Sequence, residues 1–404
     1  MNLTGKSVKL TWLALISALM LLAFAPPAPA APQGPWMLPA DTLSTGNTVI
    51  AQSPQIVIAP DGTATAVWLR SNGANFIIQA ATRPPGGSFG AAVDISATGQ
   101  SASNPQIAIA PDGAATAVWR RFDGTNFIIQ AATRPPGGSF VAAVDLSAVG
   151  QSAVQPQIAI APDGAATAVW RRFDGTNTII QAATRPPGGS FGAAVDLSAT
   201  GQTADTPQIA IAPDGAATVV WTRFNGANFI VQAATRPPGG SFGAAVDLSA
   251  TGQGASGPQI SIAPDGTATA VWNRFNGANF IVQAATRPPG GSFGAAVDLS
   301  AFGLNADADT AQIAIAPDGA ATAVWDRFDG ANTVIQSAST GQPPILLQIV
   351  RAGSGTGTVT SSPAGINCGA DCSENYNEGT VVTLTANPAS GSTFTGWSGA
   401  DCSG

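Results

Sequence analysis

One segment recurs six times along the chain: PQIVIAPDGTATAVW ends at Trp68, and its copies end at Trp119, Trp170, Trp221, Trp272 and Trp325. The spacing is 51 residues four times and 53 once, and a fixed period of this length marks a repeat architecture. Within a unit, PQIAIA alternates as a strand, PDG turns, AATAVWRR is a second strand, FDGTN a hairpin turn and FIIQAAT a third strand. RPPGG then turns into a fourth strand, SFGAAVDLS. Helical periodicity is absent after residue 30. Four short antiparallel strands per unit, six units long, predict an all-β fold: a six-bladed β-propeller of four-stranded blades. A β-solenoid is the rival, but its coils are usually shorter and lack regular two-residue hairpins.

The ends of the array predict how the ring closes. The last copy stops after its third strand, ANTVIQSAST, and the missing fourth strand has a counterpart at the start of the chain. Trp36, Asp41 and Gly46 keep the separations of Phe89, Asp94 and Gly99. Residues 34–46 are therefore expected to pair with the strand at 332–338, leaving no exposed edge. Before them, Lys6 and Lys9, the apolar run Leu10 to Ala25 and Ala28-Pro29-Ala30 read as an export signal over residues 1–30. The alternative, an uncleaved anchor, is disfavoured because the run falls short of the roughly 20 residues a bilayer span needs. The expected chain is thus secreted or held at the cell surface, monomeric, and without a membrane span once the signal is removed.

Composition narrows the chemistry. Residues 31–404 carry 14 arginines against 23 acidic residues, a formal charge of −9, so nucleic acid and anionic membranes are poor partners. Histidine is absent, Tyr376 is the only tyrosine, and Glu374 and Glu378 are the only glutamates. The propeller segment, 31–342, therefore offers aspartates and arginines alone for acid–base work. Near-identical blades offer equivalent aspartates, whereas a catalytic pair needs two differently tuned carboxyls, so the expectation is a chain that is not an enzyme.

Four repeated residue sets are candidate site residues. Trp68, Trp119, Trp170, Trp221, Trp272 and Trp325 are each followed two positions later by Arg70, Arg121, Arg172, Arg223, Arg274 and Arg327. Residues i and i+2 share a strand face, so the expected arrangement is an inter-blade wedge, with Arg beside its indole and paired to a carboxylate such as Asp94 or Asp112. A ring of arginines facing an acidic ligand is the competing reading. Asp61, Asp112, Asp163, Asp214, Asp265 and Asp318 precede Gly in the first turn and read as turn residues. Asp94, Asp145, Asp196, Asp247 and Asp298 in the fourth strand are read either as arginine partners or as paired carboxylates.

The hairpin between strands two and three holds Phe122-Asp123, Phe173-Asp174, Phe224-Asn225, Phe275-Asn276 and Phe328-Asp329, while the first blade has Ser71-Asn72. A turn needs Asx-Gly but no phenylalanine, so these rings are read either as caps on the neighbouring blade or as sugar-stacking platforms with polar neighbours for hydroxyls. On the second reading the blades carry several weak equivalent sites and gain avidity from multivalency. The expected role is then non-enzymatic recognition of glycan or protein ligands; a polysaccharide-active hydrolase or lyase is the alternative, and a mere spacer a third. No cofactor is expected, with Ca²⁺ at Asn305, Asp307 and Asp309 the one weak candidate.

Two resemblances accompany these readings. The blade motif P-D-G-x-A-x-A-V-W is similar to that of bacterial propellers and to the Asp-box hairpin of sialidases, which implies architecture and no activity. From about Ile345 the composition changes, and GTVVTLTA with GSTFTGWSG resembles the bacterial repeat domain of the internalin B-repeat type. The resemblance implies a small β-rich extracellular module over 343–404, accessory to another domain, with a further strand expected after Cys402. Cys368 and Cys372 are expected to form a disulfide, leaving Cys402 unpaired.

Overall fold

The computed structural model describes residues 40, 42–44, 50–300, 306–341, 345–376, 380–399 and 402–403. Two compact units emerge: Ala40–Thr340, and a second that contains Gly341–Gly404. The export signal and most of the expected closing strand, residues 34–46, lie outside the described residues.

The first unit is a six-bladed propeller. Blade two is representative: Ala102–Ile109, Ala115–Phe122, Phe127–Arg134 and Val144–Asp145 pair antiparallel in sequence order. The first five blades repeat this four-stranded order, and the sixth contributes the three strands Ala306–Ile315, Ala321–Phe328 and Thr333–Ser339. The fourth strand is much shorter than SFGAAVDLS suggests. Its glycine-rich start makes a single backbone bond, as in Gly90 N–H to Thr82 O at 3.0 Å, and its phenylalanine turns inward, Phe140 packing against the cluster between blades one and two.

Blade stacking explains why strands two and three read as continuous apolar runs and do not alternate. Both faces of each inner sheet are covered by a neighbouring sheet, so Ile128 and Ile129, adjacent in sequence and on opposite faces, are both fully buried. The seam between blades has a fixed recipe. Blade one supplies Val67, Ile78 and Ile95; blade two supplies Ala102, Ala117, Ala132 and Trp119. The alanines let the sheets approach and the indole fills the remaining gap. The same recipe recurs at each of the next four seams. Leu43 packs against Ala66, Trp68 and Ala81 of blade one, where the strand-four Ile or Leu of a preceding blade sits at every other seam. The outer face of blade six is more open: Val324 and Ile335 are 38% and 70% exposed, and their counterparts Val118 and Ile129 are fully buried. Among the described residues Thr333–Ser339 pairs only with Ala321–Phe328.

Each first strand carries a β-bulge close to its start, between Gln52 and Gln55, Ser103 and Gln106, and their equivalents. The bulged residue has positive φ in five blades: Ser53 (54°), Asn104 (54°), Gln155 (55°), Thr206 (52°) and Gly257 (58°). Left-handed backbone is costly for a side chain, most of all for β-branched Thr206. Five copies show that the bulge belongs to the blade plan and re-aims residues at this end of the innermost strands.

The second unit has a small core of Val359, Ile366, Cys368, Tyr376 and Val382, to which Leu347 and Trp397 add. Gly357–Ser362 pairs with both Asn367–Cys368 and Thr383–Pro388. The Tyr376 hydroxyl shares a 2.6 Å hydrogen bond with Ser361 Oγ, and Cys368 and Cys372 form the expected disulfide.

Candidate functional site

The repeated residues occupy structural places. The indoles of blades two to five are fully buried in the seams, and Trp170 and Trp272 donate to Gln181 and Gln283 across the strand pair at 3.2 and 3.3 Å. Those glutamines in turn donate to Asp196 and Asp298 at 2.7 and 2.6 Å, and Gln79, Gln130 and Gln232 donate to Asp94, Asp145 and Asp247 at 2.7 Å. The fourth-strand aspartates are therefore glutamine acceptors. The pairing expected for the arginines after each Trp differs accordingly: Arg121 donates to Gln100, while Asp112 accepts the Ala114 amide within its own turn at 2.8 Å.

The hairpin aspartates and asparagines are occupied too. Asp123 Oδ1 accepts the amides of Thr125 and Asn126 at 2.8 Å, and Asp174, Asn225, Asn276 and Asp329 repeat this turn closure. These amide bonds hold the Asp123, Asp174 and Asp329 carboxyls below the usual aspartate range, the amide at position i+3 contributing most. Three of the five hairpin rings pack on a partner ring from strand three: Phe122 on Phe127, Phe224 on Phe229 and Phe275 on Phe280, with centroids 5.3–5.5 Å apart. Phe173 and Phe328 face Thr178 and Thr333 instead and are 40% and 45% exposed. The side chains of Asp307 and Asp309, and all of Asn305, lie outside the described residues.

The blades differ from one another most at one place. The residue after each Trp reads Leu69, Arg120, Arg171, Thr222, Asn273, Asp326. Directly across the first strand pair stand Gln52, Ser103, Val154, Asp205, Ser256 and Asp307. In blades one to five the next residue along is the positive-φ one, again different in each. These positions share the hairpin end of the blades, where strand one begins and strand two finishes, and we call the set the mouth.

Its polar side chains join in short runs across blades two to four. Arg120 Nε donates to Ser103 Oγ at 2.7 Å, and its guanidinium lies over the Phe127 ring, 4.6 Å from the centroid. Arg171 crosses to the next blade and pairs with Asp205 at 2.5 Å, both about 30% exposed. Asp205 also accepts the Thr206 amide at 2.7 Å, and the Thr206 and Thr222 hydroxyls lie 3.1 Å apart. Burial, together with neighbouring Arg171, pushes the Arg120 guanidinium below its ordinary value. Asn273 is buried, and its Oδ1 has no partner among the described residues. In the sequence these positions stand out only as differences between copies, which a repeated motif does not mark.

A second set was also missed: the arginines of RPPGG. Arg134, Arg185, Arg236 and Arg287 are 3–7% exposed. Arg134 and Arg287 reach Thr65 and Thr218 of the preceding blade at 3.2 and 3.1 Å, and Arg185 reaches Thr133 at 2.6 Å. Burial lowers their pKa, while Asp61, Asp112, Asp163 and Asp214 of the preceding blade's first turn act in the opposite direction.

Among the described residues no helix is long and apolar enough to cross a membrane. No curated protein matches the chain in sequence. Residues 350–403 match the family model of the divergent InlB B-repeat domain, in agreement with the resemblance seen in the sequence. The propeller is similar to an α-L-arabinofuranosidase from Fusarium graminearum (12% identity, 72% of this chain and 92% of that one, TM-score 0.41) and an α-L-arabinanase from Penicillium chrysogenum (14%, 72% and 93%, 0.43). It is similar also to an ulvan lyase (10%, 70% and 77%, 0.47). At these identities the likeness is one of fold. The expectation of a chain that is not an enzyme is corrected: this fold is shared with an arabinofuranosidase, an arabinanase and an ulvan lyase, so the architecture does not exclude an enzyme, and the premise of equivalent blades fails at the mouth.

Proposed function

We propose that the propeller hydrolyses an extracellular polysaccharide at the mouth. The observation that carries this reading is the non-equivalence of the six blades at one register position, which sets two arginines, Thr222, Asn273 and the carboxylates Asp205 and Asp326 around one end of the innermost strands. Glycoside hydrolysis needs two carboxyls in different surroundings, and this is where the propeller supplies them.

In this reading Asp205, held by Arg171 and the Thr206 amide, is the carboxylate that activates water or attacks the anomeric carbon. Asp326, on another blade, is the proton donor to the glycosidic oxygen. Arg120 and Arg171 offer donors to sugar hydroxyls or acid groups, and the exposed Phe173 and Phe328 rings at the same end offer stacking faces for the chain. Hydrolysis is favoured over elimination because the propeller holds no tyrosine, histidine or lysine to abstract a proton beside a uronate.

The test is release of reducing ends from a panel of plant, algal and bacterial polysaccharides. Asp205→Asn and Asp326→Asn should each lower the rate by at least 10²-fold, the scale of losing an acid–base group, while Asp318→Asn, in a turn where the side chain accepts the Ala320 amide, leaves it unchanged. Full activity in both mouth variants would refute the assignment.

A further inference from the structure

The opposite end of the blades carries a different kind of site. Between blades two and three lies a cleft of about 380 Å³ lined by Asp112, Asp163, Arg185, Pro187, Phe191 and Val141. Between blades one and two the equivalent cleft, about 210 Å³, is lined by Asp61, Asp112, Arg134 and Pro136. Both are built from PDG and RPPGG, the parts of the sequence that blades one to five repeat without change.

Two carboxylates and one arginine line each of the two clefts, and the Nε of that arginine, like that of the equivalent Arg236 of blade four, has no partner among the described residues. Arg185 is 7% exposed, its Nε has no partner, and its one hydrogen bond is to Thr133. Arg236, 5% exposed, has neither an Nε partner nor any hydrogen bond among the described residues; its neighbours are the Phe242 ring, 5.9 Å away, and Asp163. A buried arginine left short of acceptors is costly, and a ligand oxygen can relieve that cost.

The chemistry of the lining selects the ligand. Two carboxylates beside one guanidinium leave a net negative cleft, which disfavours anions. The prolines and the phenylalanine supply apolar surface that no bare metal ion uses. Donors and acceptors side by side above an apolar wall fit vicinal hydroxyls on a ring with an apolar face, and the larger cleft, about 380 Å³, is in the range of small-ligand pockets. We infer that consecutive blades hold one neutral sugar residue each in the clefts around Arg134, Arg185, Arg236 and Arg287, so that this end of the propeller grips a glycan multivalently and apart from the mouth. Each cleft binds weakly, and a repeating glycan gains avidity from several.

Nuclear magnetic resonance of the arginine Nε–H groups in the full chain tests this, with the methyl glycosides of glucose, galactose, mannose, arabinose and rhamnose as probes. At least one glycoside should shift the four buried arginine resonances saturably. Val141, 56% exposed at the rim of the Arg185 cleft, allows a selective block: Val141→Trp should abolish the Arg185 shift and leave those of Arg236 and Arg287. Asp205→Asn, at the mouth, should leave all four, so this site is judged separately from the hydrolase reading. Silence of all four resonances with every glycoside would overturn the inference, as would an Arg185 shift that survives Val141→Trp or any loss caused by Asp205→Asn.

Discussion

The two ends of the propeller obey opposite rules. At the end formed by PDG and RPPGG, blades one to five are nearly copies, and four arginines are buried at the same position of the repeat. At the hairpin end the backbone repeats as faithfully, down to a strained bulge, but the side chains on it differ from blade to blade. Repetition suits multivalent binding, since each copy does the same work. Difference suits catalysis, since acid and base must not be alike. A repeat protein can hold both functions provided the fold keeps them on separate ends.

The comparison is most severely stressed by disturbing what both ends share. Trp221→Ala removes a fully buried indole from the seam between blades three and four, and by analogy with other buried aromatics it should cost about 3–5 kcal/mol. Denaturant unfolding measures it, and a loss below about 1 kcal/mol would show that the seams do not carry the fold. Deletion of residues 31–46 is next. Leu43 fills the strand-four place against Trp68, so the truncated chain should melt lower and aggregate as blades one and six lose cover; an equally stable monomer would contradict closure by this segment.

A smaller effect sharpens the difference between the ends. Arg171→Ala should change stability little, because a part-exposed ion pair is worth about 0–1 kcal/mol, yet it frees Asp205 and should lower polysaccharide cleavage at least tenfold. A stability loss with intact cleavage would make the pair a clamp and the mouth a structural seam. Smallest is a pH effect. The Asp123, Asp174 and Asp329 carboxyls lie below the ordinary value of 3.8 when folded. Their contribution is therefore present above that value and lost as pH falls through the folded pKa. The melting temperature should be flat from pH 7 to about 5 and decline below about 4, and Asp123→Asn, which retains the turn, should soften that decline.

Much of the architecture was legible. The period, the runs within each unit and the Asx-Gly turns determine the blades, because each is a local signal repeated five or six times. The site was less so. Phe122 and Asp123 looked like ligand contacts, but the ring finds Phe127 and the carboxylate finds the turn amides; across-strand partners are invisible until register is known. Arg134 read as part of a turn, and its burial depends on the preceding blade. The mouth was hidden for another reason: Arg120, Thr222 and Asp326 are informative only when the copies are superposed and their differences are read.

The most direct test is to make the mouth uniform. Arg120→Asn, Arg171→Asn, Asp205→Ser and Asp326→Asn together give those blades the residue types that blade five carries at the same places, Ser256 and Asn273. Reducing-end release from the polysaccharide that the parent chain cleaves fastest is then compared for the two proteins. The account predicts a folded variant, melting within a few degrees of the parent, whose cleavage is lost. Cleavage that persists in the folded variant, or a parent chain that cleaves no polysaccharide of the panel, would contradict it.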